Sequence, residues 1–291
     1  MKKKIISVIV GVAGLAAAYF VVSGISHIVY NRPVDNAATE STAETTEQGT
    51  EEAKAAMTED EINEMLAGMK TTETAETETA TEEQSEVIPV KFEELQAVNP
   101  DIYAWITVPG TVIDYPILQH ASDNTYYLMH NIDGSYGYPG CIYTENMNSK
   151  DFTDNNTVIY GHNMKNGSMF AQLHKFEDPD FFNENREVLI YLPDEVLHYT
   201  IFAAHIYDDR HLLYSFDFTD PEVYQKYLDS IFSTRDMSAN IDKDITVTTD
   251  DQIITLVTCI GSQPNNRLLV QAVLTDREPG TETAQAAAAT E

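Results

Sequence analysis

Cysteine is nearly absent from this chain: two residues, Cys141 and Cys259, among 291. Two thiols are too few for the disulfide framework of a small secreted scaffold, so any folded part must rest on an apolar core. Basic residues are scarce too. Lys and Arg number 17 against 47 Asp and Glu, a formal net charge of −30. That balance excludes nucleic acid as a partner, because phosphate binding needs clustered cations. No His or Cys pair stands at metal-ligand spacing, so no metal or other cofactor is expected.

Other shortages are local. Residues 1–30 contain no Asp or Glu, and residues 31–86 contain no Phe, Tyr or Trp. In the first stretch, Lys2, Lys3 and Lys4 precede an apolar run from Ile5 to Val22, which is long enough to span a bilayer. Lysines hold to the cytoplasmic side, so residues 1–30 read as an uncleaved, single-pass signal anchor with everything after it outside the cell. The competing reading is a cleaved signal peptide. Its apolar region is normally shorter, and Ala16-Ala17-Ala18 lies inside the run rather than after it. Both readings agree on export.

Residues 31–87 are acidic, rich in Thr, Glu and Ala, and read as a disordered linker extended by its own charge. Ile62, Met65 and Leu66 fall at helical spacing within it, but a solvated linker is the expectation there. Residues 88–277 are the expected folded domain, and 278–291 a disordered tail. Within the domain, 90–97 reads as a short helix and 99–101 as a second helical turn. Residues 105–108, 112–113, 116–118, 140–143, 157–160, 187–192, 197–205, 245–248, 253–258 and 268–274 read as strands. Helical turns are expected at 123–130, capped by Asp123, and at 169–175. A longer helix opens at Asp220-Pro221 and runs to about Phe232, with Val223, Tyr227, Ile231 and Phe232 on its buried face. Many short strands with turn signals between them argue for a mainly β, closed or nearly closed barrel with helical insertions.

Cys259 ends the run Thr255-Leu256-Val257-Thr258-Cys259, and Arg267 stands at the mouth of the next strand. A nearby cation favours the thiolate, the reactive form of cysteine, although a free Cys often does no more than fill space. A cysteine nucleophile needs a proton-handling partner and an oxyanion stabiliser. Among eight histidines, His162 fits best, following Tyr160-Gly161 just past a strand end. His174, His198 and the others lack that setting. Cys141, in a turn entering a strand, reads as packing, and a Cys141–Cys259 bridge would remove the nucleophile.

With these residues in view, the chain resembles a sortase, a membrane-anchored cysteine transpeptidase. Thr255–Cys259 matches the family's TLxTC motif, Tyr160-Gly161-His162 its strand-end histidine, and Arg267 its arginine at the start of the last strand. Residues 99–106, 113–117 and 123–128, with the helix at 220–232, look like class B in particular. Ile260, where relatives often carry a polar residue, and the short loop from Cys259 to Arg267 are departures. The resemblance implies a barrel of about eight strands, with short N-terminal helices and a helix inserted between the sixth and seventh strands. It implies catalytic roles for His162, Cys259 and Arg267, and a substrate groove that includes Asn124, Leu128, Tyr160 and Thr258. The implied partners are secreted proteins bearing a C-terminal sorting signal and an amine acceptor, either a peptidoglycan precursor or a pilin lysine. A cell-wall cysteine hydrolase and a non-catalytic surface module on an acidic stalk are the alternatives.

Overall fold

A computed structural model describes residues 57–70 and 86–282. The expected anchor, most of the acidic linker and residues 283–291 lie outside the described residues. Among the described residues, no helix is long and apolar enough to cross a membrane.

In chain order the elements are α1 (Glu59–Gly68), β1 (Glu86–Ile88), α2 (Phe92–Val98), β2 (Ile102–Thr107), β3 (Asp114–Leu118), β4 (Ile142–Thr144), β5 (Asn156–Tyr160), α3 (Pro179–Glu184), β6 (Glu187–Tyr191), β7 (Glu195–Asp208), α4 (Leu212–Ser215), α5 (Pro221–Phe232), β8 (Asn240–Ile241), β9 (Ile253–Ile260) and β10 (Gln263–Glu282). Tight 3-10 turns occupy Tyr126–Leu128 and Ala171–Glu177. The sheet runs β1-β10-β9-β5-β4-β3-β2-β6-β7-β8, and β10 also pairs with β7. That second pairing closes β2, β3, β4, β5, β6, β7, β9 and β10 into a barrel of eight strands. One strand can serve two neighbours because β10 is 20 residues long, and it bends at irregularities between Gln271 and Ala272 and between Leu274 and Asp276. Closure removes the open edges on which other chains could pair.

The alternation of β9 and β10 divides the apolar residues into two sets. The partners Leu256 and Val270 join Ile159, Ile190 and Leu268 in the barrel core, whereas Val257 and Leu269, also partners, face outward. Helix α5 covers that outer row with Tyr224, Tyr227, Leu228 and Ile231. It opens on Asp220, whose carboxylate accepts from the Glu222 amide, with Pro221 in the first turn. By strand count it is the helix between the barrel's sixth and seventh strands.

Several expectations need correction. On α5 the buried face is 224, 227, 228 and 231, so Val223 lies at its margin. Residues 245–248 form no strand; Val247 and Ile245 pack beneath α5 without joining a ladder. Residues 99–101 are a turn, and the strand expected from 105 begins at Ile102. Of residues 123–130 only Tyr126–Leu128 is helical, a 3-10 turn, and the helical stretch expected at 169–175 is a 3-10 turn over Ala171–Glu177. Asp123 accepts from the amide and hydroxyl of Thr125 rather than from a longer helix. Ordered pairing also passes both expected domain boundaries. Strand β1 lies parallel to the end of β10, with Glu86, Val87 and Ile88 opposite Gly280, Thr281 and Glu282. Part of the expected tail, 278–282, is therefore strand.

The patch expected to be solvated linker is the helix α1. Thr58 caps it in a reciprocal box with Glu61, and Ile62 and Leu66 bury themselves against Ile132, Cys141 and Trp105. At its far end Lys70 pairs with Asp114, which also accepts from Trp105 Nε1 and Thr107 Oγ1 at 2.8 Å each.

Candidate active site

The outward row of β9 and β10 continues beyond the cover of α5. Two residues past Val257 and Leu269, Cys259 and Arg267 are direct cross-strand partners, so their side chains rise from the same face of the ladder. Cys259 is exposed and unbridged. Arg267 Nη1 donates to the carbonyls of Pro264 and Asn266, each at 2.9 Å. These bonds hold the guanidinium stem in the β9–β10 connection and leave other donors of its planar fork uncommitted to them.

Strand β5 brings His162 to the same level. It runs parallel to β9 with Tyr160 opposite Val257, and the Gly161 amide donates to the Val257 carbonyl at 3.2 Å. His162 thus stands two residues past the end of β5, as Cys259 does past Val257. Gly161 is required by crowding: a Cβ there would stand 2.5 Å from Ile142 Cδ1 and 2.6 Å from Phe170 Cγ. Thr258 fastens the junction, donating its hydroxyl to the Gly161 carbonyl at 2.9 Å.

The imidazole of His162 is oriented by a backbone group. Its Nε2 lies 2.7 Å from the Leu128 carbonyl oxygen. A carbonyl only accepts, so Nε2 carries the proton and Nδ1 is the nitrogen left for chemistry. The ring of Tyr138 stands edge-on, 5.1 Å from the His162 ring. Burial pushes the His162 pKa below its ordinary value, and the Leu128 bond opposes only part of that effect. The ring is therefore neutral at pH 7.

The residues expected in the groove divide. Leu128 keeps an exposed side chain while its carbonyl holds His162. Tyr160 is partly exposed and stacks on Tyr143 at 5.3 Å. Asn124 is partly exposed, and its Oδ1 accepts from the Asn146 amide at 2.9 Å. Thr258 is 2 % exposed, and its hydroxyl is engaged by the Gly161 carbonyl. Cys141 is buried, its thiol 3.4 Å from the His130 carbonyl, and burial raises its pKa strongly.

The sequence does not single out a cluster at the Cys259 peptide. The Cys259 carbonyl oxygen is 2.9 Å from Asn163 Nδ2 and 3.1 Å from His174 Nε2. The only signals for it were the place of Asn163 directly after His162 and the i,i+3 spacing of His174 and Glu177.

Comparison with known proteins bears on this arrangement. Residues 106–275 match the model of the sortase domain. The chain is 34% identical over 188 residues to sortase B of Listeria monocytogenes, covering 63% of this chain and 74% of that protein. It superposes on the crystal structure of Clostridium perfringens sortase B with a TM-score of 0.58 at 34% identity, covering 64% of this chain and 100% of that one. A class B sortase of Streptococcus pyogenes involved in pilus biogenesis gives a TM-score of 0.55 at 29% identity, over 64% of this chain and 98% of that one.

Proposed function

Since the chain belongs to the sortase family of transpeptidases, and to its class B, we propose that it joins secreted proteins to an amine through a thioester on Cys259. The observation that carries this reading is the exposed Cys259 thiol, paired with Arg267 across one ladder and level with His162 across the other.

In this mechanism the Cys259 thiol gives its proton to Nδ1 of neutral His162, and the sulfur attacks the carbonyl carbon of the scissile peptide. Arg267 donates to the oxyanion of the tetrahedral intermediate, a charge-assisted bond that strengthens as charge develops. The C–N bond breaks, the leaving amine takes the proton from His162, and the thioester remains. An incoming amine attacks that carbonyl and loses its proton to His162. The C–S bond then breaks, and the proton returns to sulfur. Asn124, Leu128 and Tyr160 line the groove for the sorting signal, with Thr258 supporting its floor.

The donor substrate is a secreted protein with a C-terminal sorting signal. The acceptor is a peptidoglycan precursor or a pilin lysine, and the Streptococcus pyogenes relative, involved in pilus biogenesis, makes the second a reading to test. Residues 1–30 anchor the chain in the cell membrane with the enzyme outside, and the acidic stretch that follows gives it reach.

Incubating the protein with sorting peptides, with and without an amine, tests the reading. The expected result is an acyl-enzyme mass adduct on Cys259 and a new amide when amine is supplied. A product released only to water would make the enzyme a hydrolase. No adduct on Cys259 would overturn the cysteine mechanism.

A further inference from the structure

The end of β9 is held by side chains where the β5 ladder stops. Gly161 N–H takes the Val257 carbonyl, and the next acceptor on that edge of a parallel ladder is the carbonyl two residues on, that of Cys259. Asn163 answers it with its side chain, Nδ2 donating to the Cys259 oxygen at 2.9 Å. The same Nδ2 is 3.0 Å from His174 Nε2, and His174 Nδ1 is 2.7 Å from Glu177 Oε2. A carboxylate only accepts, so Nδ1 of His174 carries the proton. Its Nε2 faces two groups, Asn163 Nδ2 at 3.0 Å and the Cys259 carbonyl oxygen at 3.1 Å: without a proton it accepts from Asn163, with one it donates to Cys259. In either state the series runs from Glu177 to the Cys259 peptide.

We propose that Asn163, His174 and Glu177 are positioning residues that fix the Cys259 peptide relative to His162, an inference that rests on the transpeptidase reading of the site. Asn163 follows His162 in the chain, so one side chain ties the strand end bearing the base to the strand end bearing the nucleophile. The 3-10 turn Ala171–Glu177 brings the other two members. Turns of this kind are short, and this one is secured by Leu173 and Phe176 in the barrel core, which gives His174 a rigid base. Misplacing reacting atoms by about 1 Å can cost about 100-fold in rate, so a loosened Cys259 peptide acts on turnover more than on substrate binding.

The test uses the folded full chain and two readouts: steady-state transfer of a sorting peptide to an amine, and alkylation of Cys259 by iodoacetamide, which needs no substrate. His174→Ala and Asn163→Ala are each expected to lower kcat by about 10-fold or more. KM for the peptide should stay within about twofold, the thermal midpoint should be nearly unchanged, and alkylation of Cys259 should slow. His174→Gln, whose amide can accept from Asn163 or donate to the Cys259 carbonyl, is expected to recover most of kcat. Wild-type kcat and alkylation in His174→Ala overturn the proposal. So does a loss of kcat that accompanies lost thermal stability and is not recovered by His174→Gln. If wild-type protein forms no acyl-enzyme while the variants still alter alkylation, the transpeptidase reading fails and the positioning relay stands.

Discussion

Cys259 and Arg267 are joined by strand register rather than by a loop: they sit opposite each other in the β9–β10 ladder, two residues beyond the Val257–Leu269 pair that α5 covers. The separation between the expected nucleophile and the expected oxyanion donor is thus set by two strands that are buried just below them, at 253–258 and 268–273, and substitutions can test each partner without unmaking the frame.

Arg267→Lys keeps the charge but loses the planar fork of donors. Transfer of a sorting peptide should fall by about 100-fold or more in kcat/KM, the scale on which oxyanion donors act. The thermal midpoint should hold, since the side chain is partly exposed. Near-normal kcat/KM in steady-state assays would remove Arg267 from the mechanism.

Cys259→Ala should leave no acyl-enzyme by mass spectrometry and no turnover. The thiol is exposed, so its loss opens no cavity, and the melting curve should overlay the wild type. Residual transfer at more than trace level would point to another nucleophile.

Gly161→Ala tests the crowding behind His162. The added methyl would press on Ile142 and Phe170, both in the barrel core. Overpacking of this kind costs about 1–3 kcal/mol, visible as a lowered urea midpoint, with activity falling as His162 shifts. Unaltered stability and rate would show that β5 can move outward at no cost.

His205 makes stability depend on acid. It is buried, with Nε2 3.0 Å from Gln271 Oε1 and Nδ1 3.3 Å from the Ile206 carbonyl, and burial lowers its pKa. The unfolded chain therefore binds protons first. The contribution of the neutral ring is full above about pH 6.5 and is lost as pH falls from there through the folded value. The slope from one such group is at most about 1.4 kcal/mol per pH unit. His162 shifts in the same direction, so the measurement is a comparison of thermal midpoints against pH for wild type and His205→Gln. Equal acid slopes in the two proteins would exclude His205 as the source.

The three residues proposed for the site are marked in the sequence because each belongs to a local pattern: a thiol at a strand end, a histidine after a glycine, an arginine opening a strand. The sequence carried the barrel because alternation and turn residues mark strands one at a time. What it did not carry depends on distant pairing. Glu86 and Val87 look like linker until Gly280 and Thr281 lie beside them. His174 looks like an ordinary surface histidine because its partner is a carbonyl 85 residues away. Val223 was expected on the buried face of α5 because a single helical stripe passes through it, whereas the surface beneath selects Tyr224 and Leu228. Ile245 to Thr248 has the composition of a strand, but Ile245 and Val247 are held by apolar packing beneath α5 and not by a ladder.

The two thiols live in opposite surroundings, Cys141 sealed in the core and Cys259 open to solvent, and the sequence holds no third. An oxidised Cys259 thus has no resolving cysteine at the surface to capture a sulfenic acid as an internal disulfide. Its return to the working state then depends on an external thiol reaching it before further oxidation makes the damage permanent.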